Sequence, residues 1–127
     1  MAYKVFISST VKDSDLARDL AHRLESAGIK VNSIEKAAVS GEPIPIRITR
    51  ELRHADEVFV ILTDESVNSS KLMFEIGAAS SLRKRITPVV VGLEPGKVPS
   101  LIKNLKYIRY PDLERYIADL GKRAKAA

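Results

Sequence analysis

The chain contains no cysteine and no tryptophan. Without cysteine there is no disulfide framework, no thiolate metal site and no cysteine nucleophile, and the composition fits a reducing compartment such as the cytoplasm. Histidine occurs only as His22 and His54, on separate predicted helices. A clustered metal site or a Ser-His-Asp arrangement is therefore not expected, and both side chains read as surface or packing residues. Aromatics are few. The excess of 21 basic over 16 acidic residues thus lacks the interleaved rings of a nucleic-acid-binding face, and no nucleic-acid partner is expected. The runs Arg83-Lys84-Arg85 and Lys122-Arg123-Ala124-Lys125 read as solvated helix ends, where cations suit the helix dipole. A net charge of +5 would still attract an anionic small molecule. No apolar run approaches the ~20 residues of a membrane-spanning helix, and a signal peptide is not expected. No glycine-rich phosphate loop follows the first strand, where the residues are Ser8-Ser9-Thr10-Val11-Lys12.

What is present is a regular alternation of strands and helices over a length of 127 residues, read as a single domain, 1–127. Strands are predicted at Tyr3 to Ser8, Ile29 to Ser33, Glu57 to Thr63, Ile86 to Val91 and Tyr107 to Tyr110. Between them, Leu16, Leu20 and Leu24 mark a helix from Asp13 to Ala27 that Gly28 closes. Pro43 and Pro45 open a second helix running to about Ala55, with Ile44, Ile48 and Leu52 on one face. A third spans about Ser69 to Arg83, and a last one begins at Pro111-Asp112 and ends near Gly121. The stretch Glu57 to Thr63 is continuously apolar after its first residue, as a strand covered on both faces should be. Pro88 places its strand near the sheet edge, or starts it there. Thr10 with Asp13 resembles a helix capping box.

Short connections between βα units imply an α/β fold: a five-stranded parallel sheet of order 2-1-3-4-5, in a flavodoxin-like three-layer sandwich. Ligands of such sheets bind where the order reverses, between the carboxyl ends of strands one and three. That places Ser8-Ser9-Thr10 beside the segment from Asp64 to Glu75. A phosphate-accepting receiver domain shares the strand order but needs an acidic pair where Ser8-Ser9 stand, so Asp64 reads as a turn residue.

Glu75 is the residue that does not fit a generic domain. Leu72, Ile76, Ala79 and Leu82 form an apolar stripe, and Glu75 falls inside it. A charge on a packed face is unfavourable unless it has a partner or a task. Lys71, one turn earlier, offers an i,i+4 salt bridge worth at most ~0.5 kcal/mol in this orientation. That is too little to compensate full burial, so either the carboxylate is partly solvated at a cleft or other donors reach it.

Three segments together resemble a family. Lys4-Val5-Phe6-Ile7-Ser8-Ser9 with Lys12-Asp13, then Gly41-Glu42-Pro43-Ile44-Pro45 continuing to Ala55-Asp56, then Asn68-Ser69 with Phe74-Glu75-Ile76-Gly77-Ala78-Ala79, are similar in order and content to the Toll/interleukin-receptor (TIR) domain of the bacterial type. The likeness covers roughly residues 3 to 92. It implies cleavage of the nicotinamide–ribose bond of NAD in a defence-signalling setting. NAD or a related nucleotide would be substrate rather than cofactor, and Glu75 would be the catalytic carboxylate. Ser8, Ser9, Ser69, Lys71 and Gly41 would contact substrate, and the Glu35 to Pro45 loop would gate the site or join subunits in homotypic assembly. Two positions depart from the family pattern. Lys71 stands where a Trp usually stacks on the substrate, and Ser9 where an aromatic is common. Two further readings are a non-enzymatic TIR interaction module and a nucleoside deoxyribosyltransferase-like enzyme, which also sets a glutamate near a sugar.

Overall fold

Side-chain alternation along the strands decides which helices cover which face. The computed structural model describes residues 3–33 and 44–126. Its strands are β1 (Lys4–Ser8), β2 (Lys30–Ser33), β3 (Glu57–Leu62), β4 (Arg85–Val90) and β5 (Ile108–Arg109). Its helices are α1 (Ser14–Ser26), α2 (Ile44–His54), α3 (Ser70–Ser81), α4 (Ser100–Lys103) and α5 (Leu113–Ala126). The sheet runs β2-β1-β3-β4-β5 and every pairing is parallel, the flavodoxin-like order expected from the sequence.

Two apolar clusters form, one on each side. Val5 and Ile7 of β1, Phe59 and Ile61 of β3 and Val89 of β4 pack with Leu20 and Leu24 of α1 and with Leu113, Ile117 and Leu120 of α5. Phe6, Val58, Val60, Leu62 and Val90 face the other way, onto Leu52 of α2, Leu72, Ile76 and Ala79 of α3 and Ile102 of α4. Every residue of β3 is buried. That is the physical reason its sequence shows no apolar–polar alternation.

Several expectations need correction. Strand β4 begins at Arg85, not Pro88, and it lies next to the edge strand β5, near the sheet edge as expected. Proline is accommodated because β5 pairs only with Val89 and Val90. The amide of Val91 donates to Leu62 of β3. Alternation from there turns the Pro88 nitrogen toward the β5 side, beyond the reach of that two-residue strand. Helix α5 does not stop near Gly121 but continues to Ala126. Gly121 lies inside that helix against Ala27, where a Cβ would meet the Ala27 carbonyl oxygen at 3.4 Å, an ordinary contact. The short helix α4 lies in what reads as loop between Pro99 and Tyr107. Thr10 makes no side-chain cap; its hydroxyl lies 3.4 Å from the Asp13 carboxylate instead. The loop from Glu35 to Gly41 lies outside the described residues.

Gly28 does close α1 as expected. It adopts φ +85° and its amide donates to the Glu25 carbonyl. A Cβ there would meet nothing within 4 Å, so only backbone strain opposes a side chain. Gly28→Ala is expected to lower stability by about 1 kcal/mol, measured by urea denaturation. A neutral result would show that the turn relaxes freely.

Candidate active site

The order reversal between β1 and β3 opens a crevice at their carboxyl ends, and α3 rises from its edge. Ser8, the last residue of β1, shares the face of Phe6 and so points toward α3. Ser69 caps α3 by accepting a hydrogen bond from the Leu72 amide at 3.2 Å. Leu72, Ile76 and Ala79 then carry that helix into the core, and Glu75 goes with them: its exposure is 0%.

The carboxylate is held asymmetrically. The Ser8 hydroxyl donates to Oε2. Oε1 is buried and receives no hydrogen bond from any described residue. The Lys71 ammonium stands 3.5 Å from it, an ion-pair distance, and donates instead to the Ser9 carbonyl at 2.8 Å. Burial pushes the Glu75 carboxyl above the ordinary carboxylate range, with Ser8 and Lys71 opposing but not cancelling the shift. The protein thus tolerates a buried carboxylate with one acceptor left over, an arrangement that natural interiors rarely leave unexplained.

Beside this group the two loops of the crevice are tied together. Asp13 is buried, and the Thr63 hydroxyl lies 3.1 Å and 3.0 Å from its two oxygens. Ser66 returns to the same point: its Oγ accepts from the Thr63 amide at 2.9 Å and lies 3.2 Å from the Thr63 hydroxyl. The turn after β1 is therefore fastened to the turn after β3 independently of Glu75.

The sequence-predicted residues Ser8, Ser9, Lys71 and Glu75 converge. Ser69 lies at the start of the same helix and is occupied as its cap, though a hydroxyl that accepts can still donate. Gly41 falls outside the described residues. His22 and His54 are both exposed, and among the described residues no acidic or imidazole cluster could hold a metal ion. No described helix is long and apolar enough to cross a membrane. A separate depression of about 400 Å³ opens on the same rim between Val90, Leu93, Pro95, Arg109 and Tyr110, and none of the predicted residues lines it.

A second fully buried carboxylate escaped the sequence reading. Glu57 begins the central strand β3, at the amino-terminal end of the sheet, opposite the end where Ser8 lies. Tyr3 Oη donates to it at 2.7 Å, Thr87 Oγ1 at 2.5 Å and Tyr116 Oη at 2.5 Å. Burial first, then the bond to Glu57, raises the Tyr3 and Tyr116 hydroxyls above the usual tyrosine range, so both remain protonated donors. A signal did exist: a lone Glu opening an otherwise apolar strand. Glu57 has its donors, whereas Glu75 has an oxygen without one.

Comparison with known proteins gives the same picture. The TIR domain family model matches residues 5–123. The TIR domain of the Toll-related receptor TRR-2 from Hydra magnipapillata is 18% identical, with a TM-score of 0.80 over 95% of this chain and 99% of that one. The TIR domains of the activated Roq1 resistosome, which recognises the pathogen effector XopQ, are 15% identical, with a TM-score of 0.66 over 98% of this chain and 74% of that one. The CMP N-glycosidase BcmB of Clostridium botulinum is 23% identical, with a TM-score of 0.64 over 94% of this chain and 98% of that one. At these identities the likeness establishes the fold. No curated protein matches.

Proposed function

This chain belongs to the TIR domain family, and from that premise we propose that it cleaves the nicotinamide–ribose bond of NAD, releasing nicotinamide and leaving ADP-ribose or a cyclic form of it. The observation that carries the reading is the fully buried Glu75 beside the carboxyl ends of β1 and β3, whose Oε1 accepts no hydrogen bond and has the Lys71 ammonium 3.5 Å away. The chemistry suits one carboxylate. As the C1′–N bond breaks, its electron pair neutralises the pyridinium nitrogen, so no general acid is required. The ribose left behind gains oxocarbenium character. An anion beside it stabilises that charge or holds the ribose hydroxyls. Water then adds at C1′ and gives up a proton. Closure by the adenine ring would give the cyclic product.

In this scheme Ser8 fixes Glu75 through Oε2, while Ser9 and Ser69 line the sugar and phosphates. Gly41 and its loop would border the site or meet a neighbouring subunit. A defence setting is in keeping with the Roq1 neighbour, a resistosome that recognises a pathogen effector, and cleavage of an N-glycosidic bond with the BcmB neighbour, a CMP N-glycosidase; a cytoplasmic location is part of this proposal. The test follows nicotinamide release from NAD at several protein concentrations, with Glu75→Gln alongside. Equal rates for the two proteins would remove Glu75 from the chemistry. Base exchange between deoxynucleosides with NAD untouched would favour the deoxyribosyltransferase-like alternative.

One observation supports a non-enzymatic assembly module instead. Val11 and Phe74 are the large apolar side chains most exposed among the described residues, at 88% and 50%. They flank the site on the two segments that Lys71 bridges. Concentration-dependent association without NAD turnover, seen by light scattering, is the result that reading requires.

A further inference from the structure

Lys71 is committed to two partners at once. Its ammonium donates to the Ser9 carbonyl at 2.8 Å and stands 3.5 Å from the free oxygen of Glu75. Its stem leaves the first turn of α3, and 41% of the side chain is exposed, so it has room to swing outward. We propose that Lys71 is a displaceable latch that restricts the site to phosphorylated substrates. A ribose hydroxyl takes its place at Oε1 of Glu75, while the displaced ammonium is taken up by the substrate's phosphate. The inference rests on the glycosidase reading above and adds to it the residue that would make the site demand a phosphate.

The argument is one of exchange. Ser8 already occupies one acceptor site on Oε2, whereas Oε1 accepts no hydrogen bond, so Oε1 is the oxygen with more capacity for a substrate hydroxyl. A hydroxyl at hydrogen-bond length, ~2.7 Å, enters the space the ammonium now borders at 3.5 Å. Lys71 then gives up Glu75, and with the same movement its bond to Ser9. A phosphate-free nucleoside brings nothing to replace these contacts. A nucleotide brings an anion, for which an ammonium on a flexible stem is a natural point-charge partner. Ser9 is itself partly exposed, so water can satisfy its carbonyl once the lysine has moved. The start of α3, with Ser69 as its cap, also favours an anion through the helix dipole.

The test uses two carbon-linked analogues that cannot be hydrolysed, benzamide riboside and its 5′-phosphate. They differ only in the phosphate. Calorimetric titration of the wild-type chain should show the phosphate binding at least ~10-fold more tightly. Lys71→Met should erase that difference and strengthen riboside binding, because the latch is gone. Lys71→Arg should keep the preference. An undiminished preference in Lys71→Met would overturn the latch while leaving the glycosidase reading intact. If neither analogue binds the wild-type chain, the latch and the glycosidase reading fall together.

Discussion

Glu75→Gln is expected to abolish nicotinamide release, by roughly 100- to 1000-fold, and to yield a protein more resistant to heat than the wild type at neutral pH. The two effects share one cause. The fold buries the carboxyl and raises its pKa, so the ionised form is less favourable in the folded chain than in the unfolded one. Between the unfolded and the folded pKa the native state holds the extra proton, so wild-type stability falls as pH rises through that window. Glutamine does not titrate. Its advantage is therefore absent below the unfolded pKa and complete above the folded one. At a domain of this size each ~1 kcal/mol is worth roughly 4 °C in melting temperature. Activity has the opposite dependence: the anion is the working form, so turnover rises with pH, with its midpoint above the ordinary carboxylate range. Melting curves of both proteins at acidic and neutral pH, beside the NAD assay, check all of this. A variant less stable than wild type at neutral pH would show that Ser8 and Lys71 outweigh the desolvation.

Glu57→Ala, at the amino-terminal end of the central strand, is expected to lower stability by about 3–5 kcal/mol. The substitution leaves three hydroxyls without their acceptor, those of Tyr3, Thr87 and Tyr116, and creates a void at a fully buried position. It also unfastens α5 from the sheet, since Tyr116 lies on that helix. Glu57→Gln keeps an acceptor in the same place and should lose less than half as much. Urea denaturation measures both. A loss under ~1 kcal/mol for the alanine variant would mean that water replaces the carboxylate there. The contrast with Glu75 is thermodynamic: one buried carboxylate holds the structure together, and the other is held by it.

Much of this was readable from residue order. The i, i+4, i+7 recurrence of Leu72, Ile76 and Ala79 placed Glu75 on a packed face, and the structure buries it completely. Sheet order followed from short βα connections, and the carboxyl-end crevice followed from sheet order. What stayed hidden depends on contacts between distant segments. Glu57 looked like the polar start of an apolar strand because its donors come from β4, α5 and the chain just before β1. Gly121 looked like a stop because glycine commonly ends helices, but α5 continues through it to Ala126. Pro88 pointed correctly to a strand near the sheet edge, but how β4 runs through it depends on the length of the neighbouring strand. Lys71 was legible as a partner of Glu75, but its bond to the Ser9 carbonyl depends on how two loops meet.

The bonds among Asp13, Thr63 and Ser66 have a consequence for engineering. Specificity is often altered by transplanting one loop from a relative. Here a graft replacing only the segment after β1 would remove the acceptor on which Thr63 depends. A graft replacing only the segment after β3 would strand Asp13 in a buried position. The smallest exchangeable cassette is discontinuous: both turns must travel together, with Ser8 and α3 kept as the recipient frame.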